Sequence, residues 1–107
     1  MRADPAAAAP LFAALGDEVR LRLVARLCDG GPQSTARLAG VAPITRQAIT
    51  KHLEALASAG VVRGARHGRE RIWQLEPRRL DQAQRYLAEI SAQWDRAIDR
   101  LRALVEG

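Results

Sequence analysis

The chain is sparing with the residues that most chemistry needs. It has one cysteine, Cys28, so no intrachain disulfide can form, which suits a reducing compartment. It has two histidines, His52 and His67, far apart in sequence from each other and from Cys28. A soft or borderline metal site needs thiolate or imidazole ligands at close spacing, so a resident metal is not expected. There is no glycine-rich phosphate loop and no serine placed with a base and an orienting group, so catalysis is not expected and no cofactor is implied. No apolar run approaches the roughly 18 residues of a membrane span. The Ala-rich stretch 6–15 is broken by Pro10 and is not a secretion signal. A cytoplasmic protein without a membrane partner is expected.

The 107 residues suit a single domain, 1–107. The net charge of +5 is unevenly placed. Between Arg37 and Arg71 there are seven Lys or Arg and two acids, while the rest of the chain carries ten of each sign. The whole excess therefore lies on one third of the sequence, the footprint of a nucleic-acid surface.

That third contains the stretch ITRQAITKHLEALASAG, residues 44–60. Ile49, Leu53 and Leu56 fall at helical spacing, with Ala48 and Ala57 widening the stripe. Thr45 can cap the start and Gly60 can end the helix. Arg46, Gln47, Thr50 and Lys51 crowd the N-terminal half of the opposite face, with no acid before Glu54. Such a helix, alone, reads equally well as a plain solvated surface helix. Its neighbours favour DNA. Ser34 to Pro43 is a short helix and turn. Strand 61–66, a His67-Gly68-Arg69 turn and strand 71–75 form a β-hairpin. Helix, turn, helix and hairpin predict a mostly α, winged helix-turn-helix fold, with the helix-turn-helix at 34–58 and the wing at 61–75.

Upstream, helices are expected over 8–15, with Pro10 in the first turn, and over Glu18 to Cys28, capped by Asp17. Val19, Leu23, Val24 and Leu27 make the buried stripe of the second, with Cys28 partly buried at its end. Downstream, 79–105 reads as one helix without internal Gly or Pro. Leu80, Leu87, Trp94 and Leu101 repeat by seven, and Ala83, Ile90, Ala97 and Leu104 form a second row. That is an a/d seam. A helix of this length spans about 40 Å, more than a small core can cover, so part of the seam needs a second subunit. Leu87, Ile90, Trp94, Ala97, Leu101 and Leu104, joined by Leu11, Phe12 and Leu15 of the first helix, are the expected homodimer interface. Trp73 reads as wing core and Trp94 as interface anchor, rather than as walls of a ligand box.

The segments LFAALGDEVRLRLVARL, STARLAG, ITRQAITKHLEALASAGVV and GRERIWQL resemble the ArsR-type winged-helix repressors over residues 10–76. The resemblance implies a homodimer that represses transcription from an inverted-repeat operator in double-stranded DNA. It implies DNA contacts from Thr45, Arg46, Gln47, Thr50, Lys51 and His52, and from Arg66, His67 and Arg69 of the wing. Many such proteins sense metals through cysteines before the recognition helix or through His, Asp and Glu of the last helix. Here the first region reads STARLA and the last helix has neither His nor Cys, so the chain resembles the metal-free members. A metal- or thiol-responsive derepressor and a degenerate winged helix that binds an acidic protein are the alternatives.

Overall fold

A computed structural model describes residues 4–106. Five helices and a three-stranded antiparallel sheet follow one another as α1 (Pro5–Leu15), α2 (Glu18–Gly30), β1 (Gln33–Ser34), α3 (Thr35–Leu38), a 3-10 turn (Ala39–Val41), α4 (Arg46–Ser58), β2 (Val62–His67), β3 (Glu70–Leu75) and α5 (Pro77–Glu106). The core gathers one apolar face from every layer: Leu11, Leu23, Leu27, Leu38, Ile49, Leu53, Leu56, Val61, Val62 and Trp73. The fold class expected from the sequence is the one observed, a helical winged helix-turn-helix with a hairpin wing and a long last helix.

Helix starts are fixed by side-chain oxygens. Asp17 accepts from the Arg20 N–H, Ser34 from Arg37 and Thr45 from Ala48, each satisfying a donor that the first turn leaves free. The start of α1 corrects the sequence reading. Asp4 accepts from Ala6 N–H at 3.0 Å and Pro5 takes the first helical position, so the helix begins before residue 8 and Pro10 lies in its second turn, at an exposed position. The Ala-rich run supplies the propensity that carries the helix across this proline. Residues 1–3 lie outside the described residues.

The end of α2 brings a second correction. The helix continues to Gly30, and Leu27 takes the last core position, so Cys28, one residue and about 100° further round, is exposed rather than half-buried. Leu23 and Leu27 are fully buried, while Val19 and Val24 flank them. The strand β1 is not legible in the sequence. Gln33 and Ser34 pair with Trp73 and Ile72, giving the sheet order β1-β3-β2.

The helix α4 ends in a Schellman turn. Gly60, at φ 79°, donates to Ala57 O and Val61 donates to Leu56 O, while buried Leu56 and Val61 make the accompanying apolar contact. The hairpin that follows is tighter than expected. His67 pairs with Glu70, leaving Gly68 and Arg69 as a two-residue loop. Gly68 has φ 63° and Arg69 does not have positive φ, the pattern of a type II′ turn, whose twist matches that of the strands.

α5 leaves the core behind. Leu80 and Ala83 pack on it, and Tyr86 meets Phe12 of α1 at 5.6 Å between ring centroids. Beyond that the helix projects, and the molecule measures 66 × 31 × 23 Å. The sequence reading puts Leu11 at a subunit interface, but it is buried in the core of its own chain and has no surface left to offer.

Candidate nucleic-acid interface

The N-terminal half of α4 presents its polar face outward because Ile49, Leu53 and Leu56 hold the opposite face against the core. Arg46, Gln47 and Lys51 are exposed. None of the three forms a hydrogen bond or ion pair through its side chain among the described residues. Thr45 Oγ1 is engaged as the cap, yet its hydroxyl hydrogen remains able to donate. Thr50 is partly buried, and its hydroxyl donates to Arg46 O at 3.1 Å, one turn back. The first turn of α4 holds no acid. The positive end of its dipole is thus unopposed, a favourable setting for a phosphate.

The basic residues of this region divide into two groups. Arg63 pairs with Glu76 at 3.8 Å, and Arg71 lies 4.2 Å from the centroid of the Trp73 ring, so both serve the wing. Arg66 and Arg69, with His67, are exposed at the far end of the hairpin and form no ion pair among the described residues. The wing is anchored at its other end, where the buried Trp73 Nε1–H donates to Thr35 Oγ1 at 2.9 Å.

His52 occupies a different place from its neighbours on α4. Its Nδ1 accepts from Arg20 Nε at 3.1 Å and stands 3.9 Å from Asp17 Oδ1. Arg20 also donates to Ala14 O at 3.5 Å. The imidazole therefore ties α4 to the α1–α2 junction. The Arg20 backbone N–H holds the Asp17 carboxyl below the ordinary carboxylate value, against a smaller opposing effect of burial, with the neighbouring His52 adding to the lowering. Nothing in the spacing of His52 distinguishes it from the exposed Lys51 beside it. Nor does any sequence pattern mark Arg20 as its partner, or Arg79, which bonds to the end of α4 through Ala59 O at 2.9 Å.

No helix among the described residues is long and apolar enough to cross a membrane. Nor do those residues gather three or more His, Cys, Asp or Glu side chains at metal-binding distance.

Known proteins share this arrangement. A family model described as a helix-turn-helix domain matches residues 15–65. The HTH-type transcriptional regulator Rv2034 of Mycobacterium tuberculosis is 31% identical over 93 residues, covering 87% of this chain and 83% of its own. The structure of an ArsR-like transcriptional regulator from Rhodococcus sp. RHA1 is 37% identical, covers 92% of each chain and superposes with a TM-score of 0.74. The homodimeric winged helix-turn-helix domain of Mb0332 from Mycobacterium bovis, 22% identical, covers 81% of this chain and 79% of its own with a TM-score of 0.64, and so shares the fold. With its own hairpin wing, recognition helix and long closing helix in the same order, the chain belongs to the ArsR family of winged helix-turn-helix transcriptional regulators.

Proposed function

We propose that this regulator is a homodimeric repressor of an inverted-repeat operator. The observation that carries the reading is the unpartnered seam on α5. Trp94 is 66% exposed, Leu101 61%, Leu104 79% and Val105 86%, all in the half of the helix that projects beyond the core. Apolar side chains repeated along a helix and left in water mark an interaction surface. A second copy of the same helix is the occupant that matches their heptad spacing. The homodimeric state of the Mycobacterium bovis domain supports the same choice. Leu87 and Ile90 extend the seam toward the core, Ala97 lies within it between Trp94 and Leu101, and Phe12 and Leu15 flank it on α1.

Such a dimer carries two recognition helices about one DNA turn, roughly 34 Å, apart. Arg46 and Gln47 are the base readers in this proposal, since Arg pairs with guanine and Gln with adenine in the major groove. Thr45, Thr50 and Lys51 hold the adjacent backbone. Arg66, His67 and Arg69 of the wing hold flanking phosphates or the minor groove. His52 acts from behind the helix. A chromosomal operator as partner goes with a cytoplasmic location. Sedimentation of the wild type and of Trp94→Asp tests the reading. A wild-type dimer that Trp94→Asp converts to monomers without operator binding is the expected result, and a stable wild-type monomer would overturn it.

A further inference from the structure

The Schellman turn that closes α4 leaves Ala59 O, the carbonyl of the C-cap residue, outside its own hydrogen bonds. The last turn contains no basic residue, so no side chain of the helix itself answers the negative end of its dipole. A residue twenty positions beyond Ala59 supplies a cation at that end and a donor to that carbonyl. Arg79, in the first turn of α5, donates through Nε to Ala59 O at 2.9 Å. Its Nη2 donates to Ala7 O of α1 at 3.1 Å, and its Nη1 to Gln82 Oε1 of its own helix at 2.9 Å. All three acceptors are neutral oxygens. The aliphatic stem of the side chain lies alongside Gly60, close enough that a Cβ there would stand 3.7 Å from Arg79 Cγ and Cδ.

One guanidinium thus joins the end of the recognition helix to both helices beside the proposed dimer seam. We infer that Arg79 is a positioning residue that fixes the angle of α4 relative to the dimer axis, and so sets the half-site spacing the regulator accepts. This role rests on the dimer reading above. The planar fork of arginine meets three acceptors in fixed directions, which a lysine ammonium cannot reproduce. The lever is long enough to matter. A 13-residue helix is about 20 Å long, so a tilt of about 3° at its clamped end carries its first turn by about 1 Å. Hydrogen bonds from Arg46 and Gln47 to base edges do not survive displacements of that size with good geometry.

The test is selection from a randomised DNA pool by the full wild-type chain, Arg79→Met and Arg79→Lys. It is followed by affinities for the selected site with its half-sites moved apart or together by one and two base pairs. Arg79→Met keeps an apolar stem but no donor. It is expected to dimerise and to bind random DNA like wild type. Its preference for a single spacing and its specific-to-random ratio should each fall roughly tenfold, the scale of one missing charge-assisted hydrogen bond. Arg79→Lys should fall between the two. Should Arg79→Met not fold, Arg79→Lys against wild type carries the same comparison. A variant that keeps the wild-type spacing preference overturns the role, as does one whose loss of DNA binding follows from loss of the dimer. Wild-type protein that selects only single half-sites overturns the dimer reading, and this role with it.

Discussion

Trp73 and Thr35 are joined by a side-chain hydrogen bond that links the wing to the first helix of the helix-turn-helix, Nε1–H to Oγ1 at 2.9 Å. The bond is buried, and it is supported by the pairing of β1 with β3, which brings Gln33 opposite Trp73. The Thr35 hydroxyl passes its own hydrogen to Arg71 O at 3.5 Å. Arg71 in turn covers the indole ring. The angle between hairpin and helix pair is therefore set by one threonine and one tryptophan.

Thr35→Val keeps the volume but removes the acceptor. The indole N–H would then be buried without a partner, at a cost of about 1–3 kcal/mol. For a domain of this size each kcal/mol lowers Tm by roughly 4–8 °C. Calorimetry should show that loss, and Thr35→Ser, which keeps the oxygen, should recover most of it. An unchanged Tm in Thr35→Val would mean that this bond does not hold the wing.

Gly64 faces Trp73 across the hairpin, and a Cβ there would lie 2.9 Å from Trp73 Cζ3 and 3.1 Å from Arg71 Nε. Real Cβ atoms do not sit so close to a buried ring, so Gly64→Ala must push the indole or the strand. The expected outcome is destabilisation of about 1–3 kcal/mol together with weakened DNA binding, because the arginine-bearing loop moves with the strand. Chemical denaturation of Gly64→Ala with an unchanged midpoint would show that the ring can give way freely.

The features legible in the sequence are those that rest on local chemistry. Asp17, Ser34 and Thr45 cap their helices because a side-chain oxygen needs only the next turn to work on. Leu23, Leu38, Ile49, Leu53, Leu56 and Trp73 are core because their spacing follows the period of their elements. The winged helix-turn-helix itself is legible from the order of these segments and from the concentration of positive charge. What stays hidden depends on pairs distant in the chain. β1 exists because Trp73 lies beside Gln33, 40 residues away in sequence. In the sequence His52 looks like Lys51, and only the fold puts Arg20 and Asp17 beside it; Arg79 likewise looks like an ordinary first-turn residue. Leu11 and Cys28 depart from the sequence reading for one reason: a stripe gives the face of a helix, not which neighbour covers it or where the stripe ends.

Arg46→Ala and Gln47→Ala test the proposed base readers. Each should remove contacts worth about 1–3 kcal/mol per half-site, lowering operator affinity towards the random-DNA level while Tm and the dimer persist. Equal losses on operator and random DNA would reassign the residue to the phosphate backbone.

Arg69 follows Gly68 in the exposed loop of the wing, where a contact carries charge but little sequence information. Arg69→Ala should weaken binding to all sequences alike. The slope of log affinity against log salt should become shallower by roughly one unit for each phosphate that the arginine no longer neutralises, in each subunit. A slope identical to wild type would place Arg69 off the DNA.

Asp17 allows a test of the α1–α2–α4 junction that needs no DNA. Its carboxyl is held below the ordinary value of 3.8, first by the Arg20 backbone N–H and then by His52. A carboxylate with a folded value below its unfolded value stabilises the fold above the unfolded value and loses that contribution as pH falls through the folded one. The window therefore begins near 3.8 and extends to lower pH. Asp17→Asn keeps an oxygen for the cap, since asparagine serves that position as well as aspartate, but it removes the titrating charge. Between about pH 4 and pH 2 the wild type should lose stability more steeply than Asp17→Asn, by the proton that only the wild type takes up at this position. At neutral pH, Asp17→Asn should be the less stable of the two, without the charge that faces the helix dipole. Denaturation profiles measured across that range with parallel acid limbs would show that the carboxylate gains nothing from the junction.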